Sequence, residues 1–407
     1  MRNLVIGLAA ALVLGGCVTG DEDTQVKAGP GVTADTIALG VLTDMTGPFS
    51  QSALIRIKGY ELFLSELNER GGVCGRKVEL KQKDHGYNVD RALEGYFELE
   101  PQVLGFIDVA GAQMTAAIAP DLMQTRAIVA PASWSASLLG NPHMMIVGTT
   151  YDLDVINGLE HLKREGVIKP GDTIGHIHVD SDYGRNGLEG SQFATQQWGL
   201  DLLTRSVPEA VTDVITPVQE LKAAGAKAVF LSTSPPQTAS AVGTADKLGW
   251  DAPFLVNAVG YDPLILDSPV AGAVVERVRV VSPIAPYAAD LPGPRAVAEK
   301  FERKYPGLQP TGSVDHGYAI GIAFAAVLQK ACDARDLSRD GVLRAFQDTN
   351  SVDTDSLTGP LRFSLVGRPS STQSYIAKPD PKAPGGLAVL ANLFESELVK
   401  LKGTRAK

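Results

Sequence analysis

The sequence predicts an α/β protein made of two lobes, each built on its own doubly wound parallel sheet. Three observations support this fold class. Apolar strands and amphipathic helices alternate from residue 36 onwards, which is typical of parallel sheets covered on both faces by helices. The alternation pauses near residue 150 and then resumes, so the chain divides into two similar halves. The length of 407 residues suits two domains of ordinary size.

The first half begins with a predicted strand at 36–42 and a helix at about 52–70. Within that helix Leu54, Ile57 and Tyr60 share one apolar face because they follow the helical period. The next residues are two glycines, which end a helix at little conformational cost. The rest of this half is predicted as strands at 77–83, 103–108 and 127–130 and helices at 89–99 and 115–124.

The second half repeats this order. Residues 229–234 resemble residues 128–133, since each is an apolar strand that runs into small polar residues. The predicted helices of this half are 154–164, 188–198, 217–224 and 237–248, and its strands are 173–179, 200–205, 228–231, 253–256 and 277–281. The remainder is predicted as helices at 296–304, 314–332 and 339–347 and strands at 360–364, 373–377 and 387–390.

The first seventeen residues form a secretory signal that resembles those of bacterial lipoproteins. Arg2 precedes an apolar run at 4–13, and Leu14-Gly15-Gly16-Cys17 then forms a lipobox. The resemblance implies that Cys17 becomes the first residue, carries acyl chains and anchors the protein at the membrane. The alternative is an ordinary cleaved signal with an incidental cysteine. Either reading places the protein outside the cytoplasm, in a periplasm or on the outer cell surface.

Residues 18–35 are small and polar, which predicts a flexible tether between the anchor and the first lobe. The net charge of −9 argues against a nucleic-acid partner. We predict that Cys74 and Cys332 form a disulfide, because exported proteins meet an oxidising compartment. Two separate thiols remain the alternative, since sequence alone does not place the two Cα atoms.

Loops rich in small and hydroxyl residues follow five predicted strands. Ligands of open parallel sheets bind beyond the carboxyl ends of the strands, and helix-start N–H groups favour anions. These loops therefore predict a ligand site, although each hydroxyl residue alone is more simply a helix N-cap. The loops are Asp44-Met45-Thr46-Gly47, Gly111-Ala112-Gln113, Ser133-Trp134-Ser135, Asp180-Ser181-Asp182-Tyr183 and Ser232-Thr233-Ser234.

Four motifs in this order resemble the leucine/isoleucine/valine-binding family of periplasmic ligand-binding proteins, which deliver ligands to ABC transporters. The motifs occupy residues 39–48, 58–62, 68–75 and 180–184. The resemblance implies the type I periplasmic binding protein fold, in which two lobes are joined by a three-strand hinge. The implied boundaries are 36–149 plus 284–355 for the N-terminal lobe and 150–283 plus 356–400 for the C-terminal lobe.

The resemblance also implies ligand contacts. Ala112 and Gln113 match the first loop that faces a ligand carboxylate, and Ser133, Trp134 and Ser135 match the second. Thr46 lies in the first strand-end loop and is a further candidate. From the other lobe, Tyr183 matches the tyrosine that closes over the ligand, and Thr233 and Ser234 lie near the position of a second closing aromatic residue.

One departure bears on the ligand. Amino-acid binders of this family place an acidic residue after the strand at 253–256 to hold the ligand ammonium, whereas this chain has Asn257. An unpaired ammonium in a closed cleft is costly, so Asp152 or Asp262 would have to replace that acid. Otherwise the ligand need not be an amino acid, and Trp134 offers an apolar surface that suits an aromatic or aliphatic acid or an amide.

Sequence signatures of catalysis were not found. The chain contains no Gly-x-Ser-x-Gly elbow and no phosphate-binding loop, and His176 and His178 are more simply strand residues than a metal pair. We therefore expect no enzyme activity, cofactor or metal. The sequence predicts a monomeric, lipid-anchored solute-binding protein that docks on the permease of an ABC importer. A sensor of the same fold and an extracytoplasmic hydrolase are the alternatives.

Overall fold

The computed structural model describes residues 26–404 and contains two large sheets, each flanked by helices. The first sheet has four parallel strands in the order β3-β2-β4-β5. Its strands are β2 (Thr36–Thr43), β3 (Lys77–Asp84), β4 (Gly105–Ala110) and β5 (Val129–Ala132). The helices of this lobe are α1 (Ser50–Glu69), α2 (Val89–Leu99), α3 (Ala112–Thr125), α9 (Pro292–Lys304), α10 (Gly312–Asp333) and α11 (Arg339–Gln347).

The second sheet has seven strands in the order β13-β12-β10-β9-β8-β6-β7, of which β12 and β13 pair antiparallel. Its strands are β6 (Thr173–Val179), β7 (Asp201–Val207), β8 (Ala228–Ser232), β9 (Phe254–Asn257), β10 (Val278–Ser282), β12 (Ser374–Pro379) and β13 (Leu387–Phe394). Its helices are α4 (Tyr151–Arg164), α5 (Asp182–Trp198), α6 (Ile215–Ala223), α7 (Pro235–Lys247), α8 (Ala271–Arg277) and α12 (Glu397–Thr404). These two sheets confirm the predicted fold class.

Three segments carry the chain from one sheet to the other, and hydrogen bonds hold these segments together. In the first, the Gly148 amide donates to Ser370 Oγ in the third over 3.0 Å, and the Gly148 carbonyl accepts from the Ser371 amide at 3.1 Å. In the second, the Ala285 amide donates to the Leu357 carbonyl of the third over 2.9 Å. Backbone groups of all three segments therefore take part in the hydrogen bonds that hold the hinge region together.

Helices α1 and α10 pack unusually closely because glycines face each other. A Cβ added at Gly59 would lie 2.3 Å from the Val314 carbonyl oxygen, and one added at Gly317 would lie 2.2 Å from the Arg56 carbonyl oxygen. The far end of α10 is tied to the loop after α1 by a disulfide between Cys74 and Cys332, whose Cα atoms are 5.7 Å apart. This bond joins residues 258 positions apart, so it staples together the two chain segments that build the first lobe.

The N-terminal segment is the main correction to the predicted elements. Part of the tether expected at 18–35 is joined to the first lobe, because β1 (Lys27–Ala28) pairs in parallel with β11 (Asp336–Leu337). The earlier part of that tether, the signal and Cys17 lie outside the described residues. The strand predicted at 360–364 is also wrong, since Leu361 forms only an isolated bridge with Val352. Among the described helices, none is long and apolar enough to cross a membrane.

The environment of Asp154 on α4 predicts how the stability of the protein changes with pH. Its buried carboxyl accepts a hydrogen bond from Ser374 Oγ at 2.6 Å. Burial is the main cause that raises the pKa of Asp154 to about 8. The folded protein therefore keeps a proton that the unfolded chain releases near pH 4, so this residue makes stability fall as the pH rises from about 4 to about 8.

We expect Asp154→Asn to flatten the decline in the free energy of unfolding between pH 5 and pH 8, because the amide keeps the acceptor and cannot ionise. Urea unfolding at several pH values measures this. Asp201→Asn, at an exposed position on β7, is the matched control and should keep the slope of the parent protein. An unchanged slope in Asp154→Asn would contradict a neutral Asp154.

Candidate functional site

A cavity of about 510 Å³ lies between the two sheets, beyond the carboxyl ends of their parallel strands. This volume falls within the range of small-molecule sites. Strand ends of the first sheet supply residues such as Ala110 and Ala132, and the starts of α1 and α10 complete that wall. The opposite wall comes from loops after β8 and β9, from the end of β10 and from Leu387 of β13.

Arg56 is the one Lys or Arg side chain on this wall among the described residues, and it is 6% exposed. Its Nε and Nη2 donate to Asp108 Oδ2 over 3.1 and 3.0 Å, and Nη2 also donates to Thr43 Oγ1 over 2.9 Å. Burial is the largest single effect and disfavours the charge on the guanidinium, but Asp108 and Tyr60 together outweigh it and raise the pKa of Arg56. The guanidinium is thus a fixed cation at the cavity wall.

His316 lies beside this cation and stacks on Trp134. The two rings have centroids 4.5 Å apart and planes inclined by 23°. Burial, aided by the charge of Arg56, lowers the pKa of His316 well below its usual value, so the imidazole is neutral. Trp134 is itself fixed, because its Nε1 donates to the Val147 carbonyl over 2.8 Å. The first-lobe wall therefore combines a cation, a neutral imidazole and a flat indole ring.

Tyr151 and Tyr183 extend this aromatic surface towards the second lobe. Tyr151 meets Trp134 edge-on at 6.1 Å between ring centroids and lies 4.6 Å from the ring of Tyr183. The Tyr183 hydroxyl is 3.5 Å from the Thr233 carbonyl, to which it donates a long hydrogen bond. Trp134, Tyr151 and Tyr183 all line the cavity, so one continuous aromatic strip joins its two walls.

The second-lobe wall is mainly apolar. Its apolar residues come from the start of α7 and the segment after β9, and they include Pro235, Pro236, Ala239, Ala258, Val259, Pro263, Leu264, Ile265 and Leu387. Among the described residues, Asp262 is the one acidic or basic residue that lines this wall. Its Oδ1 accepts from the Leu264 amide at 2.9 Å, and burial raises the pKa of its carboxyl. The two walls of the cavity thus differ in polarity.

The first lobe contributes a second carboxylate, Asp44, which is already occupied. Its two oxygens accept from the Gly47 amide at 2.5 Å and the Phe49 amide at 2.8 Å, just before α1. These bonds hold the loop that precedes the helix in place. Asp44 therefore fixes the loop that brings Phe49 into the cavity wall. Its oxygens are engaged by these backbone amides and are less available to a ligand.

Four of the residues predicted from the sequence as ligand contacts line the cavity, namely Ala112, Ser133, Trp134 and Tyr183. They come from two strand-end loops of the first lobe and from the start of α5 in the second lobe. The structure thus brings them together as walls of one space. Their contact with a ligand stays a prediction.

Three other predicted residues of the first lobe lie off this wall. Thr46 Oγ1 donates to Asp84 Oδ2 over 2.7 Å at the surface. Gln113 Nε2 donates to Glu209 Oε2 of the opposite lobe over 3.2 Å. Ser135 Oγ donates to Asp182 Oδ2 over 2.5 Å. Each side chain has a protein partner in this structure, and the expected ligand contact of all three stays a prediction.

The predicted residues at the ends of β8 and β9 are also directed into the protein. Thr233 Oγ1 lies 3.0 Å from Thr238 Oγ1, and Ser234 forms a capping box with Gln237 at the start of α7. Asn257 is fully buried, and its Oδ1 accepts from Ser232 Oγ at 3.0 Å. Helix capping and core hydrogen bonds explain these hydroxyl and amide residues.

Asp152 is not among the residues that line the cavity, and its contact with a ligand ammonium stays a prediction. Its Oδ1 accepts from Thr150 Oγ1 at 2.6 Å, and its Oδ2 pairs with Lys402 of α12. The sequence did not reveal this partner because α12 is short and its apolar residues are few. The pair ties the C-terminal helix to the start of α4.

Arg56 and His316 are the functional candidates that sequence reasoning missed. Arg56 lies in the sequence between Ile55 and Ile57, which are both buried. A lone arginine within such a run was the available signal. His316 follows Asp315 near the start of α10, where a histidine gives no particular signal of a ligand site. Within residues 26–404, no group of three His, Cys, Asp or Glu residues could hold a metal ion.

Comparison of this chain with known proteins identifies one protein family that it matches. Residues 36–384 match the family model of the periplasmic binding proteins. The chain is 24% identical, over 332 residues, to the Leu/Ile/Val-binding protein homolog 7 of Brucella suis, and the match covers 75% of this chain and 76% of that protein.

Solved structures agree with this result. A fatty acid ABC transporter substrate-binding protein from Thermomonospora curvata is 35% identical, with a TM-score of 0.90, and the match covers 94% of this chain and 98% of that one. A branched chain amino acid ABC transporter from Thermus thermophilus with bound valine is 19% identical, with a TM-score of 0.78 and coverage of 91% and 99%. The second likeness shows the fold alone.

The ion pair at the cavity wall generates a stability prediction. Arg56→Gln leaves the Asp108 carboxylate buried without its cation, so we expect the free energy of unfolding to fall by about 3–5 kcal/mol in urea titrations. The double variant Arg56→Gln/Asp108→Asn removes that stranded charge and should recover part of the loss. Arg185→Gln, which breaks an exposed pair with Asp180, should change stability by less than about 1 kcal/mol. If Arg56→Gln and Arg185→Gln lowered the free energy of unfolding equally, the stabilising role of the Arg56–Asp108 pair would be contradicted.

Proposed function

The chain belongs to the periplasmic binding protein family, and we propose that it is the lipid-anchored ligand-binding component of an ABC importer. This membership confirms the resemblance predicted from the sequence. We propose that the protein binds its ligand between two lobes without chemical turnover, outside the cytoplasm. Its ligand, on this proposal, is a carboxylic acid with an extended apolar part. The polarity difference between the two cavity walls is the observation that carries the choice of ligand.

The position of the Arg56 guanidinium on one wall supports the proposal that the ligand is an acid and that it binds in one orientation. A carboxylate would lie on the first-lobe side, near Arg56 and His316, because a fixed guanidinium stabilises an anion in a largely apolar site. The hydrocarbon part would lie over Pro236, Val259 and Ile265, where each buried methylene contributes about 0.8 kcal/mol. The relative that is 35% identical to this chain is a fatty acid transporter component, which supports the same ligand class.

An α-amino acid fits this cavity less well. Its ammonium would need an anionic partner in a space that excludes water. Asp44 already accepts two backbone hydrogen bonds, burial favours the neutral form of Asp262, and Asp152 is directed towards Lys402. We therefore place aliphatic acids first within the range predicted from the sequence, before aromatic acids, amides and amino acids.

We propose the lobe boundaries already given, 36–149 plus 284–355 and 150–283 plus 356–400, with residues 26–35 joined to the first lobe through β1. Ligand binding would change the angle between these units at the hydrogen-bonded crossings near Gly148, Ala285 and Ser371. The permease of the transporter would then recognise the closed form of a monomer.

The ligand proposal is tested by thermal shift and calorimetry with saturated acids from butanoic to octadecanoic acid, beside leucine, benzoic acid and propanamide. A ligand at a hundred times its Kd raises stability by about 2.7 kcal/mol. We expect affinity to increase with chain length until the cavity is full. If leucine stabilises the protein and none of the acids does, the proposed ligand class is wrong.

A cavity-filling variant locates the binding site. Ala239 of α7 lines the apolar wall, so Ala239→Trp should abolish binding of the longest acids while shorter ones still bind. Ala224→Trp, at an exposed position beyond α6, is the matched control and should bind like the parent protein. Unchanged binding of long acids by Ala239→Trp would place the site elsewhere.

The anchor is tested separately. When the full chain is expressed in a bacterium with a lipoprotein pathway, we expect it in the membrane fraction with an acylated Cys17. Cys17→Ser should release the protein into the soluble extracytoplasmic fraction, because the acyl chains provide the anchoring. Mass spectrometry of the N-terminal peptide measures the modification, and an unmodified Cys17 would contradict the anchor.

A further inference from the structure

We propose that Asp182 is a positioning residue that clamps the two lobes together and fixes two walls of the ligand cavity. It lies at the start of α5 in the second lobe. Its partners lie in residues 135–137, which follow β5 of the first lobe. We call this contact the Asp182 clamp. This inference goes beyond the proposed function and does not depend on which ligand the cavity takes.

The Asp182 clamp consists of hydrogen bonds that cross from one lobe to the other. Ser135 Oγ and Ser137 Oγ both donate to Asp182 Oδ2, over 2.5 and 2.8 Å. One turn further along α5, Asn186 Oδ1 accepts from the Ala136 amide at 3.0 Å. Three consecutive residues of the first lobe are therefore held by one face of one helix of the second lobe.

Charge and geometry both suit this contact. A carboxylate accepts shorter and stronger hydrogen bonds from hydroxyls than a neutral acceptor does, and the Ser135 side chain is fully buried. The start of α5 is held at its position by Gly184, because a Cβ there would lie 2.0 Å from the Val179 carbonyl oxygen. The carboxylate of Asp182 is thus presented by a helix start that packs directly on the end of β6.

The clamp also connects two cavity walls. Trp134 immediately precedes Ser135, and Tyr183 immediately follows Asp182, and both aromatic side chains line the cavity. Tyr151 touches both of their rings. Fixing Ser135 against Asp182 therefore fixes the relative position of the indole and the phenol ring between which the ligand must fit. A second contact, from Gln113 to Glu209, joins the lobes elsewhere.

These bonds join protein atoms to protein atoms, so a ligand is not needed to form them. The clamp should therefore keep a fraction of ligand-free molecules closed and ready to bind. The apparent dissociation constant equals the intrinsic one divided by the fraction of binding-competent protein. Loss of the clamp should lower the closed fraction first and weaken ligand binding as a consequence.

The test measures the distance between spin labels placed at Asp90→Cys and Ala210→Cys, at exposed positions on opposite lobes, in protein without ligand. We expect Asp182→Ala to lower the ratio of closed to open molecules about tenfold. Asp182→Asn keeps an acceptor oxygen and should have a smaller effect. Asp180→Asn, which alters only an exposed pair with Arg185, is the matched control and should match the parent protein.

A second variant separates the clamp from a local folding defect. Ser135→Ala/Ser137→Ala removes the donors from the other lobe and should reproduce the effect of Asp182→Ala, and the combined variant should add nothing further. The proposal is overturned if Asp182→Ala has the distance distribution of the control, or if the serine variant does. If the effects of Asp182→Ala and Ser135→Ala/Ser137→Ala added up in the combined variant, the proposal would be overturned as well, because the two changes would then act through separate interactions.

Binding of hexadecanoic acid distinguishes this proposal from the proposed function. The apparent Kd of Asp182→Ala for this acid should rise by the same factor by which the closed fraction falls. If the acid binds to none of the proteins, the ligand class fails while the distance measurement still decides the clamp. If the Kd is unchanged although the closed fraction falls, the clamp has no positioning role in binding, and the proposal is wrong.

Discussion

The buried ion pair between Arg56 and Asp108 determines the character of the cavity. A buried charge in such a wall needs a partner of opposite charge fixed beside it. Here α1 carries Arg56, and β4 carries Asp108, which pairs with the guanidinium. The close glycine contact between α1 and α10 adds His316 to the same region. Among the described residues, one guanidinium, paired with the Asp108 carboxylate, is thereby held on one side of a space whose opposite side is largely apolar. The proposed ligand and its orientation both follow from this asymmetry.

The two lobes have different tasks in this arrangement. The first lobe supplies the polar groups and is internally braced by the Cys74–Cys332 disulfide, so it is suited to hold the ligand head in a fixed place. The second lobe supplies the apolar surface and Tyr183, which lines the same cavity. On the proposed function, the hydrogen-bonded crossings would act as the hinge between the lobes. Side-chain contacts such as the Asp182 clamp would then set how often the lobes meet.

Much of the fold was predictable from local patterns. The helices at Val89–Leu99 and Arg339–Gln347 have the predicted bounds, because their apolar period and their start signals agree. The helix Glu397–Thr404 and the pairing of Lys27–Ala28 with β11 were not predictable, because short segments have weak patterns and owe their structure to distant partners.

The sequence predicted which loops form the cavity better than it predicted which side chains in those loops line it. Strand-end loops did form the cavity, yet Ser234 and Asn257 are turned away from it to meet capping and core hydrogen bonds. A sequence gives the order of polar residues along a loop but not the face that each one presents. Arg56 was missed for the converse reason, since it sits within a helix whose contact with the cavity depends on how α1 packs against α10.

The orientation of the bound acid tests this account most directly. A crystal structure of the protein with hexadecanoic acid would locate both ends of the ligand. The account predicts the carboxylate on the first-lobe side, within hydrogen-bonding reach of Arg56 or His316, and the chain over Pro236 and Val259. A carboxylate lying against α7, or an acid bound outside the space between the two sheets, would contradict it.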